Sequence, residues 1–298
     1  MKKNEQQRFL RQIANKESVA RVIFLISALT AILAVGLICV FLFARGIPAI
    51  AEIGVFDFLT GMDWSPSDIP ASFGIFPMII GSLYVTAGAI LVGVPIGIFT
   101  AVFMARVCPK PLYRILKPGV DLLAGIPSVV YGFFGMVVLV PLVRLVFGGN
   151  GSSMLTASLL LGIMILPTVI GITESALRAV PNELYEAAVA LGASHERAVF
   201  RVVLPAAKSG VMAAVVLGIG RAIGETMAVK MVAGNQALLR APNEFLKGVR
   251  TLTANVVMEM GYAEGLHREA LIATGVVLFV FILVINVLFS LLKKEKNV

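Results

Sequence analysis

Charged residues are scarce in this 298-residue chain. They make up 14% of the sequence, whereas 58% is hydrophobic, and the mean hydropathy is +0.94. A soluble domain carries about a quarter charged residues, so the composition excludes a globule that folds in water. The charges lie between apolar runs that approach or exceed the ~20 residues needed to cross a bilayer. The sequence therefore predicts an all-α polytopic membrane protein.

Groups that commonly bind metals or perform catalysis are also few. The chain has two cysteines, Cys39 and Cys108, and two histidines, His195 and His267. Neither histidine has a Cys or carboxylate companion at a metal-ligand spacing, and no catalytic constellation occurs in the apolar runs. A Gly-rich GxxxxGK[ST] loop is absent. We therefore expect a non-enzymatic chain without a metal, a catalytic residue, a bound cofactor or an ATP site of its own.

Six apolar runs qualify as membrane-spanning helices. They are Val22–Phe43, Gly74–Ala105, Val120–Phe147, Leu155–Ile172, Val211–Val232 and Ala270–Leu292. The first follows a basic N-terminus but exceeds the ~7–15 apolar residues of a signal peptide, so we interpret it as a retained helix. The second and third are long enough to tilt or to contain a broken section.

Lys and Arg predict the orientation, because cytoplasmic loops carry more of both. With the N-terminus inside, the inner segments hold Lys2, Lys3, Arg8, Arg11, Lys16, Arg21, Arg106, Lys110, Arg114, Lys117, Arg178, Arg197, Arg201, Lys208, Lys293, Lys294 and Lys296. The outer segments and their margins hold only Arg45, Arg144, Arg240, Lys247, Arg250 and Arg268. Both termini are thus predicted to be cytoplasmic. The net charge of +8 is dispersed over separate segments, so nucleic acid is not an expected partner.

One predicted inner loop, residues 173–209, is unusually long. A helix is expected to begin at Pro181 and to end at Gly192, a C-cap candidate. Ser194 is placed to begin a second helix, which is expected to stop before Pro205. An amphipathic hairpin lying on the inner leaflet would show similar features.

The same loop resembles the EAA motif of the membrane subunits of ATP-binding-cassette importers. That motif reads EAA, three residues, Gly, nine residues, Ile, one residue and Leu-Pro. The matching residues are Glu186, Ala187, Ala188, Gly192, Leu204 and Pro205, with Val202 in the place of Ile. In that family the loop sits in a groove of the ATPase subunit. The resemblance implies that these residues couple the chain to an ATPase.

Two further stretches resemble the PstC-type permeases of bacterial phosphate importers. They are LAGIPSVVYGFFG, residues 123–135, and GRAIGETMAV, residues 220–229. The resemblance covers roughly residue 73 to the C-terminus. It implies a six-helix type I importer permease (MetI-like) fold in the bacterial inner membrane. Residues 1–72 would be a cytoplasmic N-terminus, a first helix and an outer loop, and residues 73–298 the permease core.

The resemblance also implies partners. A homologous PstA-type permease would complete the pore, two ATPase subunits would use ATP-Mg, and an extracytoplasmic binding protein would deliver phosphate. A phosphate-signalling regulator is a further partner that such an assembly allows. Two alternatives remain open: a permease for another oxyanion such as molybdate, sulfate or phosphonate, and a membrane scaffold that senses phosphate.

The GRAIGETMAV stretch places Arg221, Glu225 and Thr226 inside an apolar run. An Arg at the centre of a membrane helix costs ~2.5–3.5 kcal/mol, whereas an i,i+4 ion pair returns only ~0.2–0.5 kcal/mol. These side chains are therefore expected to face the bundle interior or a wet path. Glu225 would hold and orient Arg221 towards the oxyanion, or repel an anion until Arg221 is released. The alternative is an interhelical salt bridge that locks a gate or the contact between subunits. Lys230, nearer the outer end, is expected to reach the membrane interface.

In the LAGIPSVVYGFFG stretch, Pro127 has no amide donor and interrupts the helical ladder. Interrupted helices often line a transport path, because their freed backbone groups need polar surroundings. Ser128 would add a donor there. A packing kink without cargo contact is the alternative for either residue.

Overall fold

The computed structural model describes residues 2–294 of the chain, and side chains for residues 20–288. Helices dominate it. They are α1 (Lys2–Ile53), α2 (Val55–Thr60), α3 (Phe76–Val102), α4 (Lys110–Gly125), α5 (Ser128–Phe134), α6 (Val140–Phe147), α7 (Met154–Arg178), α8 (Asn182–Ala190), α9 (His195–Ala198), α10 (Leu204–Ala206), α11 (Lys208–Gly224), α12 (Met227–Val232), α13 (Leu252–Glu259) and α14 (Gly265–Lys294).

Shorter elements complete the described chain. Three π-helical turns, Phe103–Val107, Gly135–Leu139 and Val199–Val203, extend or join helices, and a 3₁₀ turn covers Pro242–Glu244. Strands β1 (Trp64–Ser65) and β2 (Ser72–Phe73) form a small antiparallel hairpin in which Trp64 pairs with Phe73. The all-α class predicted from the composition is confirmed.

Five helices among the described residues are long and apolar enough to cross a membrane, or six if the bent pair His195–Ala206 and Lys208–Gly224 counts as one span. Two predicted apolar runs are interrupted. The run 120–147 is divided between α4 and α5 at Ile126 and Pro127, which have extended backbones. The run 211–232 is divided between α11 and α12, because Glu225 leaves the helix with ψ of 126°. The interruption predicted at Pro127 is confirmed. The break at Glu225 was not expected, and there the prediction of a continuous apolar helix was wrong.

Helix α7 is the centre of the bundle, with α3 and α11 packed along it. Glycine permits the closest approach: a Cβ on Gly93 of α3 would lie 2.6 Å from the carbonyl oxygen of Gly162 in α7. Leu160, Leu161 and Ile165 of α7 are fully buried in the surrounding core. Side chains that project from α7 are therefore held in fixed positions inside the bundle.

Helix α1 joins the bundle by one half only. Phe43 packs edge-to-face on Phe279 of α14 at 5.7 Å between ring centroids. A Cβ on Gly46 would lie 3.1 Å from the Ala273 Cα. Towards the N-terminus, the apolar side chains from Val22 to Val40 are largely exposed. The stretch from Val22 to Val40 is thus left to contact lipid or another subunit.

Gly46→Leu is predicted to separate α1 from α14, because the added side chain would enter the space of Val276 and the Ala273 backbone. Overpacking of this kind costs about 1–3 kcal/mol. The thermal unfolding midpoint of the protein in detergent should fall. Gly36→Leu is the control on the same helix, since a Cβ there meets nothing within 4 Å. Equal midpoints for the two variants would contradict the packing.

Candidate functional site

The predicted coupling loop folds into a helical hairpin, which we call the coupling hairpin (residues 182–206). Helix α8 spans Asn182–Ala190, and Gly192 follows with φ of +87°, a left-handed conformation that glycine adopts without strain. The Ser194 hydroxyl then caps α9 by accepting a hydrogen bond from the Arg197 amide at 3.3 Å. The predicted turn and the start of the second helix are confirmed.

The end of the second helix differs from the prediction. The expected stop before Pro205 was wrong, because the chain stays helical through α10 to Ala206. A π-helical turn, Val199–Val203, precedes Pro205 and widens the helix where the proline cannot donate a hydrogen bond. Only Ala207 separates α10 from α11, and the chain bends there by 71°. The coupling hairpin therefore leads directly into the helix that carries Arg221.

The EAA residues lie on the open side of this hairpin. Glu186 is exposed, and its carboxylate accepts a hydrogen bond from the Asn182 side-chain amide at 3.0 Å. Ala187 is exposed and Ala188 half-buried, whereas Leu204 packs on the core and Pro205 is exposed. Apolar neighbours are open to the surroundings as well: Leu184, Val189 and Leu191, which is 89% exposed. The hairpin presents small and apolar groups around one carboxylate.

Contacts within the hairpin make it one unit. The Tyr185 hydroxyl of α8 hydrogen-bonds His195 Nδ1 of α9 at 2.8 Å, and the two rings pack edge-to-face. Arg106, from the π turn after α3, donates to the carbonyl oxygens of Leu177 and Val180 and to the Asn182 side chain. The hairpin is thereby tied to α3 and α7 as well as to α11.

A buried carboxylate organises the same end of the bundle. We define the Glu174 cluster as Tyr113, Lys117, Glu174 and Arg178. Glu174 of α7 is 3% exposed, and it accepts hydrogen bonds from the Tyr113 hydroxyl at 2.7 Å and from Arg178 Nε at 2.8 Å. Lys117 Nζ lies 3.7 Å from the other carboxylate oxygen. The Arg178 guanidinium also stacks over the Tyr113 ring at 4.6 Å.

This cluster holds the amphipathic helix α4 against α7. The hydrogen bond to Glu174 raises the pKa of the Tyr113 phenol, and burial adds to that rise. The hydrogen bond to Asp121 raises the pKa of Lys117, so the amine stays charged beside the buried carboxylate. Pairing and hydrogen bonding offset the desolvation cost of the buried Glu174 charge.

Arg221 reaches the middle of α7. Its guanidinium donates to the Thr168 hydroxyl at 3.1 Å. Thr168 is 14 positions after Met154, so it lies about 20 Å along a helix that rises about 1.5 Å per residue. The guanidinium of the half-buried Arg221 therefore contacts α7 near the middle of its length.

Glu225 does not hold Arg221. These two described side chains form no ion pair, because the helix ends between them and the i,i+4 spacing no longer applies. The Glu225 carboxylate instead accepts hydrogen bonds from the amides of Thr226 and Ala228, both at 3.2 Å. It caps the start of α12, where free amides favour an anion. The expected direct pairing was wrong.

Polar groups from two directions satisfy the break between α11 and α12. The Thr226 hydroxyl donates to the Gly224 carbonyl oxygen at 3.2 Å. From the helix α13, the Thr253 hydroxyl donates to the Glu225 carbonyl oxygen, also at 3.2 Å. No other part of the described chain lies within 4 Å of a Cβ placed on Gly220 or Gly224. One side of the break is therefore open.

The Pro127 break lies at the start of a helix that packs on α12. Pro127 precedes α5, and Ser128 is its first residue. On α5, a Cβ on Gly132 would lie 3.0 Å from the Ala228 Cα of α12. Helices that begin at the two breaks thus touch, whereas no hydrogen bond joins Pro127 or Ser128 to Arg221 among the described residues.

At the end of the bundle opposite the coupling hairpin lies a second buried carboxylate. We define the Glu259 cluster as Trp64, Arg250, Glu259 and His267. Glu259 accepts from Arg250 at 2.7 Å, from the Trp64 indole at 2.8 Å, and pairs with His267 Nε2 at 2.9 Å. Trp64 is half-buried and donates this hydrogen bond through its indole nitrogen. The cluster fixes α13, and hence Thr253, relative to α14 and the β hairpin.

The sequence did not identify four residues as polar partners inside the bundle: Thr168, Glu174, Thr253 and Glu259. Glu174 offered a signal, since a carboxylate four residues before Arg178 at the end of an apolar run needs a partner. Thr253 offered none, because α13 is a short helix in a mixed-charge segment. Among the described residues, no three His, Cys, Asp or Glu side chains are grouped so as to hold a metal ion.

The sequence of the chain matches a known protein family. Residues 93–297 match the family described as the binding-protein-dependent transport system inner membrane component. The chain is 39% identical over 279 residues to the "probable ABC transporter permease protein YqgH" of Bacillus subtilis, covering 91% of this chain and 90% of that protein. It is 36% identical over 275 residues to the phosphate transport system permease protein PstC of Mesorhizobium japonicum, covering 85% and 83%.

A solved structure has the same fold. The methionine ABC transporter MetNI, in inward-facing conformations, aligns with a TM-score of 0.60 at 21% identity, covering 74% of this chain and 95% of the aligned chain. The resemblance to a type I importer permease is thereby confirmed at the level of the fold. The chain belongs to the family of binding-protein-dependent transport system inner membrane components.

Proposed function

We propose that this chain is the permease subunit of an ATP-driven phosphate importer. It forms half of a translocation path that a homologous permease completes. Two ATPase subunits, which bind and use ATP-Mg, dock on its coupling hairpin, and an extracytoplasmic binding protein delivers phosphate to the opposite end. Its PstC-type relatives are named as phosphate transport permeases, and this supports the choice of phosphate.

One observation carries the proposal: the coupling hairpin and Arg221 belong to consecutive helical segments. A force on α8 passes through the Tyr185–His195 contact to α9, through α10 and Ala207, and into α11. Since Ala207 is the only residue between α10 and α11, movement of the hairpin changes the position of α11 and of Arg221. A partner that hydrolyses ATP can therefore open or close the path.

Arg221 suits a tetrahedral oxyanion because its planar guanidinium donates two parallel hydrogen bonds and stays charged. The single hydrogen bond to Thr168 leaves other donors of the guanidinium available. Since Glu225 caps α12, no carboxylate neutralises the guanidinium within the described chain. This arrangement favours contact with phosphate over a gate locked through Glu225.

The distribution of cations supports a topology in which the coupling hairpin is cytoplasmic and the Glu259 cluster lies outside. The membrane we propose is the bacterial inner membrane. Both termini are then cytoplasmic. The hairpin reaches an ATPase only in this orientation, so the charge pattern and the coupling role support the same topology.

Glu186→Ala and Gly192→Val are predicted to uncouple ATP hydrolysis from uptake. The first removes the exposed carboxylate, and the second places a β-branched residue at φ of +87°, where a left-handed backbone costs about 1–2 kcal/mol for a residue other than glycine. Phosphate uptake and ATPase activity of the reconstituted complex are the measurements. Gly119→Ala, a glycine of α4 with no neighbour within 4 Å, is the control. ATP-driven phosphate uptake equal to wild type in both variants would contradict the coupling role.

Arg221→Gln is predicted to abolish phosphate uptake while the complex still assembles, because a neutral amide keeps a polar contact with Thr168 and loses the charge. Arg221→Lys should retain part of the activity, since the charge remains without the fork. Uptake is measured with sulfate, molybdate and phosphonate as competitors. Normal uptake by Arg221→Gln would show that Arg221 is not part of the transport path. An oxyanion that competes more strongly than unlabelled phosphate would be the transported substrate instead.

Ser194→Cys is predicted to react with a membrane-impermeant thiol reagent from the cytoplasmic side, because Ser194 is exposed in the coupling hairpin. Inside-out vesicles should be labelled and right-side-out cells should not. Cys39 and Cys108 are replaced by Ser in this background so that only the introduced thiol reports. Labelling from the outer side alone would invert the topology.

A further inference from the structure

Lys230 is a cation to which the proposed function has so far given no role. It is half-buried on α12, and no carboxylate or other acceptor among side chains 20–288 binds its ammonium group. A lysine in a membrane domain faces the bundle interior or a water-filled cavity, or else extends along lipid to the interface. The packing of α12 decides between these environments.

The two faces of α12 differ in burial. Ala228, Val229 and Val232 are at most 1% exposed and pack on α5 and α7. Met227 and Lys230 lie three residues apart, so they share the opposite face of the helix. Met227 is 41% exposed. Lys230 therefore points away from the packed core of this chain.

The open face of α12 adjoins the break after α11. Gly224 is exposed there, and its carbonyl oxygen is reached only by the Thr226 hydroxyl among the described residues. Non-helical backbone at membrane depth is tolerated where protein or water covers it, and not against lipid. The open side of the break thus faces a wet path or a partner subunit. Met227 directly follows the break, and Lys230 is one turn further along the same face.

Lys230 and Arg221 lie at different depths. Val232, two residues after Lys230, accepts a hydrogen bond through its carbonyl oxygen from the amide of Ser153, the N-cap of α7, at 3.0 Å. Lys230 is therefore within one turn of the end of α7 that lies opposite the coupling hairpin. Arg221 contacts Thr168, about 20 Å further along α7 at about 1.5 Å per residue. Two cations follow one another from the mouth to mid-depth.

We propose that Lys230 is a second oxyanion-binding group of the translocation path, at its outer mouth, where it receives the anion before Arg221. This inference rests on the proposed function. A lysine ammonium is a flexible point charge, whereas arginine offers a fixed fork. A weaker first site and a more specific second site suit conduction, which needs binding strong enough for entry and weak enough for release.

The test compares Lys230→Gln with Lys230→Arg in the complete complex reconstituted into liposomes. Lys230→Gln should lower phosphate uptake at low concentrations of phosphate-loaded binding protein by about tenfold, the lower end of the effect of charge in a focusing cleft. Lys230→Arg should retain most of the rate. Lys247→Gln removes another lysine of the same outer region, one that is paired with Glu244, and should have no effect. Uptake by Lys230→Gln equal to wild type would overturn the inference.

A second measurement locates the side chain independently of transport. Lys230→Cys, with Cys39 and Cys108 replaced by Ser, should react with an anionic sulfonate thiol reagent added from outside. Phosphate-loaded binding protein should slow this reaction. Modification only by a membrane-soluble maleimide would place Lys230 against lipid and refute the inference. A wild-type complex that imports no phosphate would refute the proposed function instead, and the labelling would still report where Lys230 lies.

Discussion

The satisfaction of backbone polar groups at the break between α11 and α12 is the constraint on which the rest of the site depends. A membrane helix that ends at Gly224 leaves carbonyl and amide groups that lipid cannot bind. The Glu225 carboxylate accepts hydrogen bonds from free amides at the start of α12, and the Thr253 hydroxyl donates to the Glu225 carbonyl oxygen. Because the carboxylate serves the backbone in this way, it does not neutralise Arg221.

The two buried carboxylates hold opposite ends of the bundle together. Glu174 holds α4 and α7 together at one end, and Glu259 holds α13, α14 and the β hairpin at the other. Along the chain, only Ala207 separates the coupling hairpin from α11. Breaking a buried charge pair by removing one partner is strongly destabilising, so each cluster stiffens its end of the bundle.

Cations in this chain serve different purposes according to their surroundings. Arg178 and Arg250 form ion pairs with buried carboxylates. Arg106 donates hydrogen bonds to carbonyl oxygens at the end of α7. Arg221 keeps donors free, and Lys230 has no partner in the described chain. Cations without a carboxylate partner are costly in a membrane domain. For Arg221 and Lys230 this cost is consistent with a path that admits anions.

Hydropathy, local turn chemistry and the cost of charge in lipid were enough to predict the membrane class, the coupling hairpin and the need of Arg221 for polar surroundings. Gly192 and Ser194 act on neighbouring backbone atoms, so their roles could be predicted from the residues beside them. The partners at the break between α11 and α12 are known only from the folded chain. There Thr168 rather than Glu225 accepts the hydrogen bond of Arg221, and the Thr253 hydroxyl donates to the Glu225 carbonyl oxygen. These outcomes depend on contacts between residues far apart in sequence, and local spacing carries no information about such contacts.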